Sequence, residues 1–325
     1  MKTSSPRLLL ALLPFCLGTG ALAAAPLEQK FPPAPPADAS HPLQVWDVAA
    51  AARDGLPRNF RTTNDTLKAG TGALPDVTGL ADLHASGSAA FTAANFKALQ
   101  ARVTGPVTVF DLRQEEHVYV NGQPISWYAT NNWANVGRPS EAILAGEAAQ
   151  VQAIKPGATL ALADAEAKKA AAGTAPETVV VSQVATEAEV VTAAGAHYVR
   201  ITVTDHCRPT DEAVDQFVLA VRGLPADAWA HFHCRAGKGR TTTFLALYDM
   251  LRNAGRVSLN DIVNRQGLLI GEYNLLQSDE DSGWKKGVAD DRAAFVRAFY
   301  DYARANPGGR PQLWTEWLKH QAPAG

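Results

Sequence analysis

The chain has 325 residues, of which 46% are hydrophobic and 19% are charged, and its formal net charge is −2. This length and composition are typical of a globular protein with an ample buried core and exclude a disordered or fibrous chain. A net charge so close to zero provides no overall field that would attract nucleic acid, so an anion site must depend on a local basic cluster. We expect neither nucleic acid nor a membrane as a partner.

The first 23 residues predict a secretory signal peptide. Lys2 and Arg7 form a positive start, and an apolar run follows. Ala21-Leu22-Ala23 fits the small-residue pattern before a cleavage site, and Ala23-Ala24-Ala25 fits it too, although Pro26 would then follow the cut. The apolar run is too short to span a membrane, and Pro14 interrupts it. We therefore expect a cleaved protein that is periplasmic or secreted.

The rest of the chain divides into a linker and one domain. Residues 24–42 are rich in proline and alanine and predict an extended linker, and residues 43–325 predict one domain with a β-rich insert at roughly 114–195. Strand-like and helix-like segments alternate, which predicts an α/β layered fold. The predicted strands are 107–110, a hairpin within 117–127, 198–203 and 229–232. The predicted helices are 211–221, 241–253, 258–266, 290–305 and 312–320, with a solvated helix and loop in the alanine-rich stretch 158–175.

Two cysteines remain after the signal peptide, Cys207 and Cys234, which is too few for a disulfide scaffold. Cys234 lies in the segment HFHCRAGKGRTTTF, which begins at His231. A strand ends at this cysteine and a helix begins near Arg240, so the loop between them can turn its backbone N–H groups inward as a nest for a phosphate dianion. The loop residues are Arg235, Ala236, Gly237, Lys238 and Gly239.

The residues that flank this loop have chemical uses in phosphate transfer. Arg240 can hold two phosphate oxygens with its planar fork, and the positive surroundings favour the thiolate form of Cys234. In-line attack by the thiolate forms a phosphocysteine, which water then hydrolyses, and Thr241 can donate a hydrogen bond to the departing sulfur. His233, which precedes the nucleophile, completes this part of the predicted catalytic group.

The same segment does not fit other phosphate or metal sites. The glycine that opens a nucleotide-binding loop is absent ahead of Gly237-Lys238. His231, His233 and Cys234 lack the second ligand pair of a zinc site. Residues 111–117 are the cluster that a metal-dependent phosphatase would need, and we interpret them as a strand end with supporting polar residues. We expect neither a metal nor a cofactor.

Arg235 and Lys238 add two positive charges to the loop. A single phosphotyrosine does not need them, whereas a polyphosphorylated small molecule would use them. The alternative is that both are solvated charges on the rim.

The leaving oxygen needs a proton, and a carboxyl group on a loop before the nucleophile strand is the expected donor. Asp205 meets this description, with His206 placed to orient it or to contact phosphate. The alternative is that Asp205 or Thr210 caps the following helix, and both roles can hold with different residues. Cys207 lies two residues from Asp205. We hypothesise that oxidation joins Cys207 to Cys234 and switches the enzyme off; the alternative is a thiol without function.

Beyond the loop, several motifs in order resemble those of the bacterial protein-tyrosine-phosphatase-like inositol polyphosphatases, also called cysteine phytases. The resemblance extends from about Leu56 to Lys286. The motifs are DGLPRNFRTTND at 54–65, SGSAAF at 86–91, DLRQEEHVYVNGQPISWY at 111–128, NNWAN at 131–135, TDHCRP at 204–209 and HCRAGKGRT at 233–241.

This resemblance implies both a fold and a reaction. The fold is α/β, a tyrosine-phosphatase-like core in which helices flank a central sheet, with a small partial β-barrel attached. The reaction is the stepwise removal of phosphates from myo-inositol hexakisphosphate, without a metal or cofactor. The resemblance further implies that Arg61, Asp111 and His206 line the pocket and that Lys285 or Lys286 reaches distal phosphates.

Two other functions stay open at this point. A phosphoinositide or protein tyrosine phosphatase would use the same loop, although the sequence has no evident membrane-docking helix or polybasic arm. A non-catalytic phosphate-binding module is less favoured, because Cys234, Arg240 and Asp205 are all present. The sequence does not determine the oligomeric state.

Overall fold

The structure is a computed structural model that describes residues 34–70, 72–164, 175–277 and 283–321. The predicted signal peptide, most of the predicted linker and residues 165–174 of the alanine-rich stretch lie outside the described residues. The strands of the described chain are β1 (Leu43–Trp46), β2 (Arg61–Thr62), β3 (Ala85–Ser88), β4 (Val107–Arg113), β5 (His117–Val120), β6 (Gln123–Tyr128), β7 (Thr159–Asp164), β8 (Glu177–Val180), β9 (Val184–Ala185), β10 (His197–Val203) and β11 (Trp229–His233). The α-helices are α1 (Ala93–Gln100), α2 (Ser140–Ala153), α3 (Glu187–Ala193), α4 (Asp211–Arg222), α5 (Gly239–Asn253), α6 (Leu259–Ile270), α7 (Trp284–Ala305) and α8 (Trp314–Gln321).

A five-stranded sheet lies at the centre of the domain, in the order β10-β4-β11-β3-β2. Strands β10, β4, β11 and β3 are parallel, and β2 is antiparallel at the edge. β4 and β11 are buried along their whole lengths, as expected of central strands that are covered on both faces, and β4 is rich in apolar and β-branched residues. Because four strands point the same way, the loops that leave their carboxyl ends meet at one edge of the sheet.

A second sheet has six strands in the order β8-β7-β1-β6-β5-β9. The hairpin of β5 and β6 turns at Asn121-Gly122, where both residues have the positive φ that this two-residue turn requires. β1 lies between β6 and β7, so the sheet takes a strand from outside the predicted insert of residues 114–195. The predicted α/β core with an added β element is confirmed.

Helices cover the five-stranded sheet and bury most of the apolar residues against it. Nearly all of α5 is buried, and Phe244 on this helix packs edge-on against Phe217 of α4 at 5.1 Å between ring centroids. Thr186, Thr210 and Ser258 cap the first turns of α3, α4 and α6 through their side-chain oxygens. In the described residues, no helix is both long enough and apolar enough to cross a membrane.

The structure differs from the sequence predictions in three stretches. Residues Thr159–Asp164 form β7 instead of a solvated helix, because they pair with β1 and β8 and bury Leu162 in an apolar cluster. The described end of the predicted linker contains a 3₁₀ helix, Ala37–Ser40, in which Asp38 accepts hydrogen bonds from Thr130. Helix α7 begins ahead of the predicted start at residue 290.

Candidate active site

The loop between β11 and α5, residues 234–240, is called the phosphate loop below. It leaves the carboxyl end of the central strand β11 and leads directly into α5. Gly237 has φ +69°, and a Cβ atom at this position would lie 2.3 Å from the backbone nitrogen of Ala89 after β3. Only glycine fits so close to another chain segment at this positive φ, and this tight turn lets the loop curl around a phosphate.

Cys234 lies at the base of the phosphate loop and is 2% exposed. The Thr241 hydroxyl donates a hydrogen bond to its Sγ atom at 3.2 Å, as the sequence predicts. A Cβ atom on Gly87 of β3 would lie 2.7 Å from the Thr241 methyl group, so the SGSAAF motif allows α5 to approach the sheet closely. The nucleophile and its hydrogen-bond donor are therefore held by the packing of one helix on one strand.

Arg61 is buried against the backbone of the phosphate loop, and its place in the substrate pocket stays a prediction. One terminal nitrogen donates to the carbonyl of Gly237 at 2.9 Å, and the other donates to the Thr242 hydroxyl at 2.9 Å. Burial lowers the pKa of Arg61 to about 10, and the nearby Cys234 opposes this shift. Arg61 thus supports the loop from below and adds positive charge near the nucleophile.

Arg240 is oriented by a carboxylate that follows β4. Its two terminal nitrogens lie 2.7 and 3.0 Å from the two oxygens of Glu115, and one of them also donates to the carbonyl of Val203 at 3.0 Å. Burial raises the pKa of a carboxyl group, but Arg240 and then Arg113 outweigh it and hold the pKa of Glu115 well below its usual range. Glu115 therefore remains ionised, and the guanidinium keeps one orientation before any phosphate binds.

The two basic residues inside the phosphate loop have different surroundings. Arg235 is 5% exposed, its Nε lies 3.0 Å from Asp47, and its guanidinium is 5.1 Å from the centre of the Tyr128 ring. Lys238 is exposed to solvent. The charge of Arg235 is thus partly compensated by Asp47, which directly follows β1, whereas Lys238 lies on the rim.

The acid loop, residues 204–209, leaves the carboxyl end of β10 beside the phosphate loop. Oδ2 of Asp205 lies 3.3 Å from a terminal nitrogen of Arg240, which brings the predicted acid next to the phosphate-binding residue. The Asn132 side chain donates to the same oxygen at 3.2 Å, and the Trp133 ring nitrogen donates to the Asp205 carbonyl at 3.0 Å. Helix α4 is capped by Thr210, so Asp205 is not needed as a cap.

His206 and Cys207 follow the acid in the chain. His206 is exposed, has φ +69° and places its ring edge-on to Trp133 at 6.5 Å. Cys207 is buried and free. Burial and then Asp205 and Asp291 raise the pKa of Cys207 to about 12, so this side chain remains a neutral thiol near pH 7.

Asp111 is fully buried, and its place in the substrate pocket stays a prediction. Its carboxylate lies 2.8 Å from Arg200 and 3.1 Å from His117, and it accepts a hydrogen bond from Tyr198 at 2.7 Å. Burial raises the pKa of a carboxyl group, but Arg200 and then the histidines His117 and His233 hold the pKa of Asp111 well below its usual range. Asp111 therefore belongs to a buried, charge-compensated network.

The same network reaches the predicted catalytic histidine. His233 Nε2 lies 2.6 Å from Glu187 of α3 and 3.7 Å from Asp111. Glu187 and Asp111 thus lie on either side of His233. Glu187 also lies 3.1 Å from His117. His233 is thereby connected to the helix that follows β9, a link that strand pattern alone does not show.

Asp111, His117 and Glu187 offer ligand atoms within 4.8 Å of one another, which makes them a possible metal group within the described residues. Burial and then Arg113 and Arg200 disfavour the protonated His117 ring, but Asp111 and Glu147 raise the pKa of His117 to about 10. The ring is therefore protonated at neutral pH and lacks the lone pair that a metal needs. The residues fit a charge-compensated network better than a cation site.

Lys285 and Lys286 lie in the first turn of α7, and both are exposed. Lys286 lies 3.3 Å from Asp290 in the next turn. Farther along this helix, Arg292 lies over the Tyr273 ring, whose hydroxyl is beside Gly239 of the phosphate loop. The start of α7 is thus on the side of the molecule that carries the phosphate loop, and the role of the two lysines stays a prediction.

Several residues of the site escaped the sequence analysis. Glu115 was recognised there only as part of a polar strand end, and Asp47, Asn132, Trp133 and Glu187 were not singled out as site residues. These residues have one feature in common: each is a polar or aromatic residue just after a strand or beside a turn. That feature is too common in proteins to identify a site. Their partners are far away in the chain, so only the folded structure shows them.

The comparisons with known proteins agree with this geometry. A family model described as PTPlike_phytase: Inositol hexakisphosphate matches residues 110–252. A PTP-like phytase from Bdellovibrio bacteriovorus has a solved structure that is 35% identical, with a TM-score of 0.73 over 91% of this chain and 100% of that chain. The PTP-like myo-inositol phosphatase from Mitsuokella multacida, solved in complex with myo-inositol-(1,3,4,5)-tetrakisphosphate, is 34% identical, with a TM-score of 0.77 over 85% of this chain and 49% of that chain.

Among curated proteins, the effector protein hopD2 of Pseudomonas syringae pv. tomato is 38% identical over 280 residues. The match covers 85% of this chain and 59% of that protein. The chain thus spans about three fifths of the hopD2 protein and about half of the Mitsuokella chain.

Proposed function

The chain belongs to the family of protein-tyrosine-phosphatase-like phytases, and we propose that it is a cysteine-dependent phosphatase that hydrolyses inositol polyphosphates one phosphate at a time. The observation that carries this proposal is the meeting of Asp205 and Arg240 at 3.3 Å, beside a buried Cys234. A proton donor, a phosphate clamp and a nucleophile are thereby placed around one small volume. A module that only binds phosphate would need neither the acid nor the cysteine.

The reaction takes two steps on these residues. The Cys234 thiolate attacks phosphorus and forms the P–S bond while the bond from phosphorus to the inositol oxygen breaks, and Asp205 gives its proton to that oxygen. Asp205, now a carboxylate, then takes a proton from water as the water oxygen attacks phosphorus. The P–S bond breaks, and Thr241 donates its hydrogen bond to the sulfur that leaves. Arg240 and the backbone N–H groups of the loop stabilise the equatorial oxygens in both transition states.

Inositol polyphosphates are the proposed substrate class because of the charge at the loop. Lys238 is exposed on the rim, where a second phosphate of the same molecule can reach it. Arg235 lies against Tyr128, and Asp47 offsets part of its charge, so the proposal depends mainly on Lys238. The related Mitsuokella enzyme is described in complex with an inositol tetrakisphosphate, which supports the same class here.

The first experiment measures phosphate release from myo-inositol hexakisphosphate by residues 24–325, in chelator and reductant, beside Cys234→Ser. We expect release by the unchanged protein and none above background in the serine variant, because a serine hydroxyl is not ionised near neutral pH. If neither protein releases phosphate from this substrate but Cys234-dependent hydrolysis of a phosphotyrosine peptide or a phosphoinositide occurs, the mechanism stands and the substrate proposal fails.

A second experiment tests the use of several phosphates. Lys238→Ala is expected to raise KM for inositol hexakisphosphate about 10-fold and to change KM for an aryl monophosphate less than about 2-fold, since a lost charge contact to a distal phosphate costs about 1.4 kcal/mol. Lys155→Ala, an exposed lysine near the end of α2, is the matched control. Equal changes in KM for both esters would indicate that Lys238 does not read a second phosphate.

We also propose that the protein is exported, on the strength of the N-terminal pattern alone. Lys2 and Arg7, the apolar run and Ala21-Leu22-Ala23 support cleavage after residue 23. N-terminal sequencing of the protein recovered from periplasm and culture medium tests this. A start at residue 24 supports export, and an intact N-terminus in the cytoplasm contradicts it.

A further inference from the structure

We propose that Asn132 and Trp133 are positioning residues for the general acid, and that the turn they belong to holds the acid loop in its working position. This turn, residues 130–133, is called the clamp turn below. The inference rests on the proposed function, because it assigns Asp205 the role of proton donor. It adds a role for the NNWAN motif, whose physical use the sequence does not reveal.

The contacts to the acid are direct. The Asn132 side-chain nitrogen donates to Oδ2 of Asp205 at 3.2 Å, and the Trp133 ring nitrogen donates to the backbone carbonyl of the same residue at 3.0 Å. The backbone N–H of His206 donates to the other carboxylate oxygen, Oδ1, at 3.0 Å. Together these bonds fix both the backbone and the rotation of the carboxyl group, and Oδ2 faces Arg240.

The backbone of the clamp turn is shaped for this purpose at some cost. Asn131 and Asn132 have φ values of 58° and 64°, in the left-handed region that few residues other than glycine and asparagine adopt. Asn132 is 4% exposed, and its side-chain oxygen is buried without a hydrogen-bond partner in the described part of the chain. Strained torsions and an unsatisfied buried oxygen are tolerated where function requires the geometry.

The clamp turn is itself anchored on two sides. Asp38 accepts hydrogen bonds from the Thr130 backbone nitrogen at 2.9 Å and from the Thr130 hydroxyl at 3.1 Å. On the other side, β6 ends at Tyr128, whose ring packs against the guanidinium of Arg235 in the phosphate loop. One segment that begins at the end of β6 therefore contacts both loops: Tyr128 contacts the phosphate loop, and the clamp turn contacts the acid loop.

A positioned acid matters most when the leaving group is a poor one. An inositol alkoxide needs the proton in the transition state, whereas the phenolate of an acidic phenol leaves with little help. Loss of positioning should therefore lower kcat for the alkyl ester and spare the activated aryl ester. A defect that arises from general loosening of the fold lowers both rates.

The decisive variant is Asn132→Gly, which keeps the positive φ and removes only the amide. We expect kcat for inositol hexakisphosphate to fall about 10- to 30-fold and kcat for an aryl phosphate with an acidic leaving group to fall less than about 3-fold. Asn131→Gly, at the neighbouring position with the same torsion, is the matched control and should stay within about 2-fold on both esters.

A second arm asks whether Asn132 acts through Asp205. In the Asp205→Asn background, Asn132→Gly is expected to change kcat less than about 2-fold, because the interaction it removes is already lost. Trp133→Phe, which keeps an aromatic side chain but removes the ring N–H donor, should lower kcat for the poor leaving group about 3-fold. If Asn132→Gly does not fold, Trp133→Phe still allows kcat for the poor leaving group to be compared with kcat for the activated aryl ester.

Equal losses on both esters, or a full Asn132→Gly effect in the Asp205→Asn background, would overturn the inference. Phenyl phosphate replaces inositol hexakisphosphate as the poor leaving group if the latter is not hydrolysed. In that case the substrate part of the proposed function fails, and the positioning role is still decided by the comparison of the two aryl esters.

Discussion

The phosphate loop and the acid loop lie side by side at one edge of the five-stranded sheet, but the molecule holds them in different ways. The phosphate loop is supported by buried charges: Arg61 beneath it, Glu115 on Arg240 and Asp47 on Arg235. The Asp205 side chain is 25% exposed, and this residue accepts hydrogen bonds from the clamp turn. Arg208, near the far end of the acid loop, is buried and paired with Asp211 and Asp291.

This difference follows from what each loop does in the proposed reaction. A loop that receives a phosphate dianion must present its donors in a fixed arrangement, so buried ion pairs that preorganise it are useful. A carboxyl group that gives up and recovers a proton needs contact with water between the two steps. The comparison predicts that substitutions under the phosphate loop impair stability and activity together, whereas substitutions of Asp205 and of the clamp-turn residues that contact it impair activity alone.

The largest effect is expected for Glu115→Gln. The change leaves the Arg240 guanidinium without its bidentate carboxylate, so kcat/KM should fall about 100-fold or more, and the free energy of unfolding should fall by about 3 kcal/mol. Enzyme assays and urea unfolding measure the two quantities. Glu116→Gln, whose partner Arg138 is partly exposed, is the control and should cost less than about 1 kcal/mol. Equal changes in kcat/KM and in the free energy of unfolding in the two variants would contradict the claim that Glu115 preorganises Arg240.

Asp47→Asn tests the support that comes from the six-stranded sheet. Asp47 lies 2.8 Å from Arg113 and 3.0 Å from Arg235 and accepts a hydrogen bond from Ser126. Because Arg113 retains Glu115 as a partner, we expect a loss of about 2 kcal/mol in the free energy of unfolding and a fall in kcat/KM of less than about 10-fold. Asp301→Asn on the exposed side of α7 is the control for urea unfolding. A larger loss of activity in Asp47→Asn than in Glu115→Gln would contradict the prediction that Glu115 contributes more to the phosphate loop than Asp47 does.

The buried network behind the loop predicts a dependence of stability on pH. His117 has its pKa raised from 6.5 to about 10, so the folded protein binds a proton that the unfolded chain releases between these values. Its contribution is fully present below pH 6.5 and is lost as the pH rises toward 10, with a slope of up to about 1.4 kcal/mol per pH unit. Urea unfolding of the unchanged protein and His117→Gln across this range should show the slope only in the former. Parallel curves would contradict a protonated His117.

The smallest effect is expected for Cys207→Ala. Since Cys207 is buried as a neutral thiol, activity should change less than about 2-fold. Recovery of activity by dithiothreitol after brief peroxide treatment should be the same in the variant and the unchanged protein. Loss of that recovery in the variant would instead support the hypothesis that a disulfide with Cys234 protects the nucleophile.

The comparison of the two loops also shows where sequence reasoning succeeds. The phosphate loop is contiguous in sequence, so its strand, glycines, arginine and hydroxyl could be predicted together from residues 233–241. The acid loop was located from its place between a strand and a capped helix. Both predictions depend on residues that are close together in the chain, because local sequence sets the backbone geometry over such short distances.

Arg61 and Asp111 show which contacts local sequence reasoning does not reveal. Only the resemblance suggested that both line the pocket, and a buried charge is costly unless it is compensated. Here both are compensated, Arg61 by the Gly237 carbonyl and Asp111 by Arg200. The partners are 176 and 89 residues away in the chain respectively, and no local pattern connects them.

The sequence by itself determined the family resemblance and the α/β architecture and predicted the roles of Cys234, Arg240 and Asp205, because each depends on residue types in local patterns along the chain. Only the tertiary structure decided which residues hold that chemistry in place. Glu115 reaches Arg240 across 125 residues, Asp47 reaches Arg235 across 188, and Asn132 reaches Asp205 across 73. Such contacts form only when the two sheets pack together, since the alignment of separate segments is set by burial and charge pairing in the folded protein.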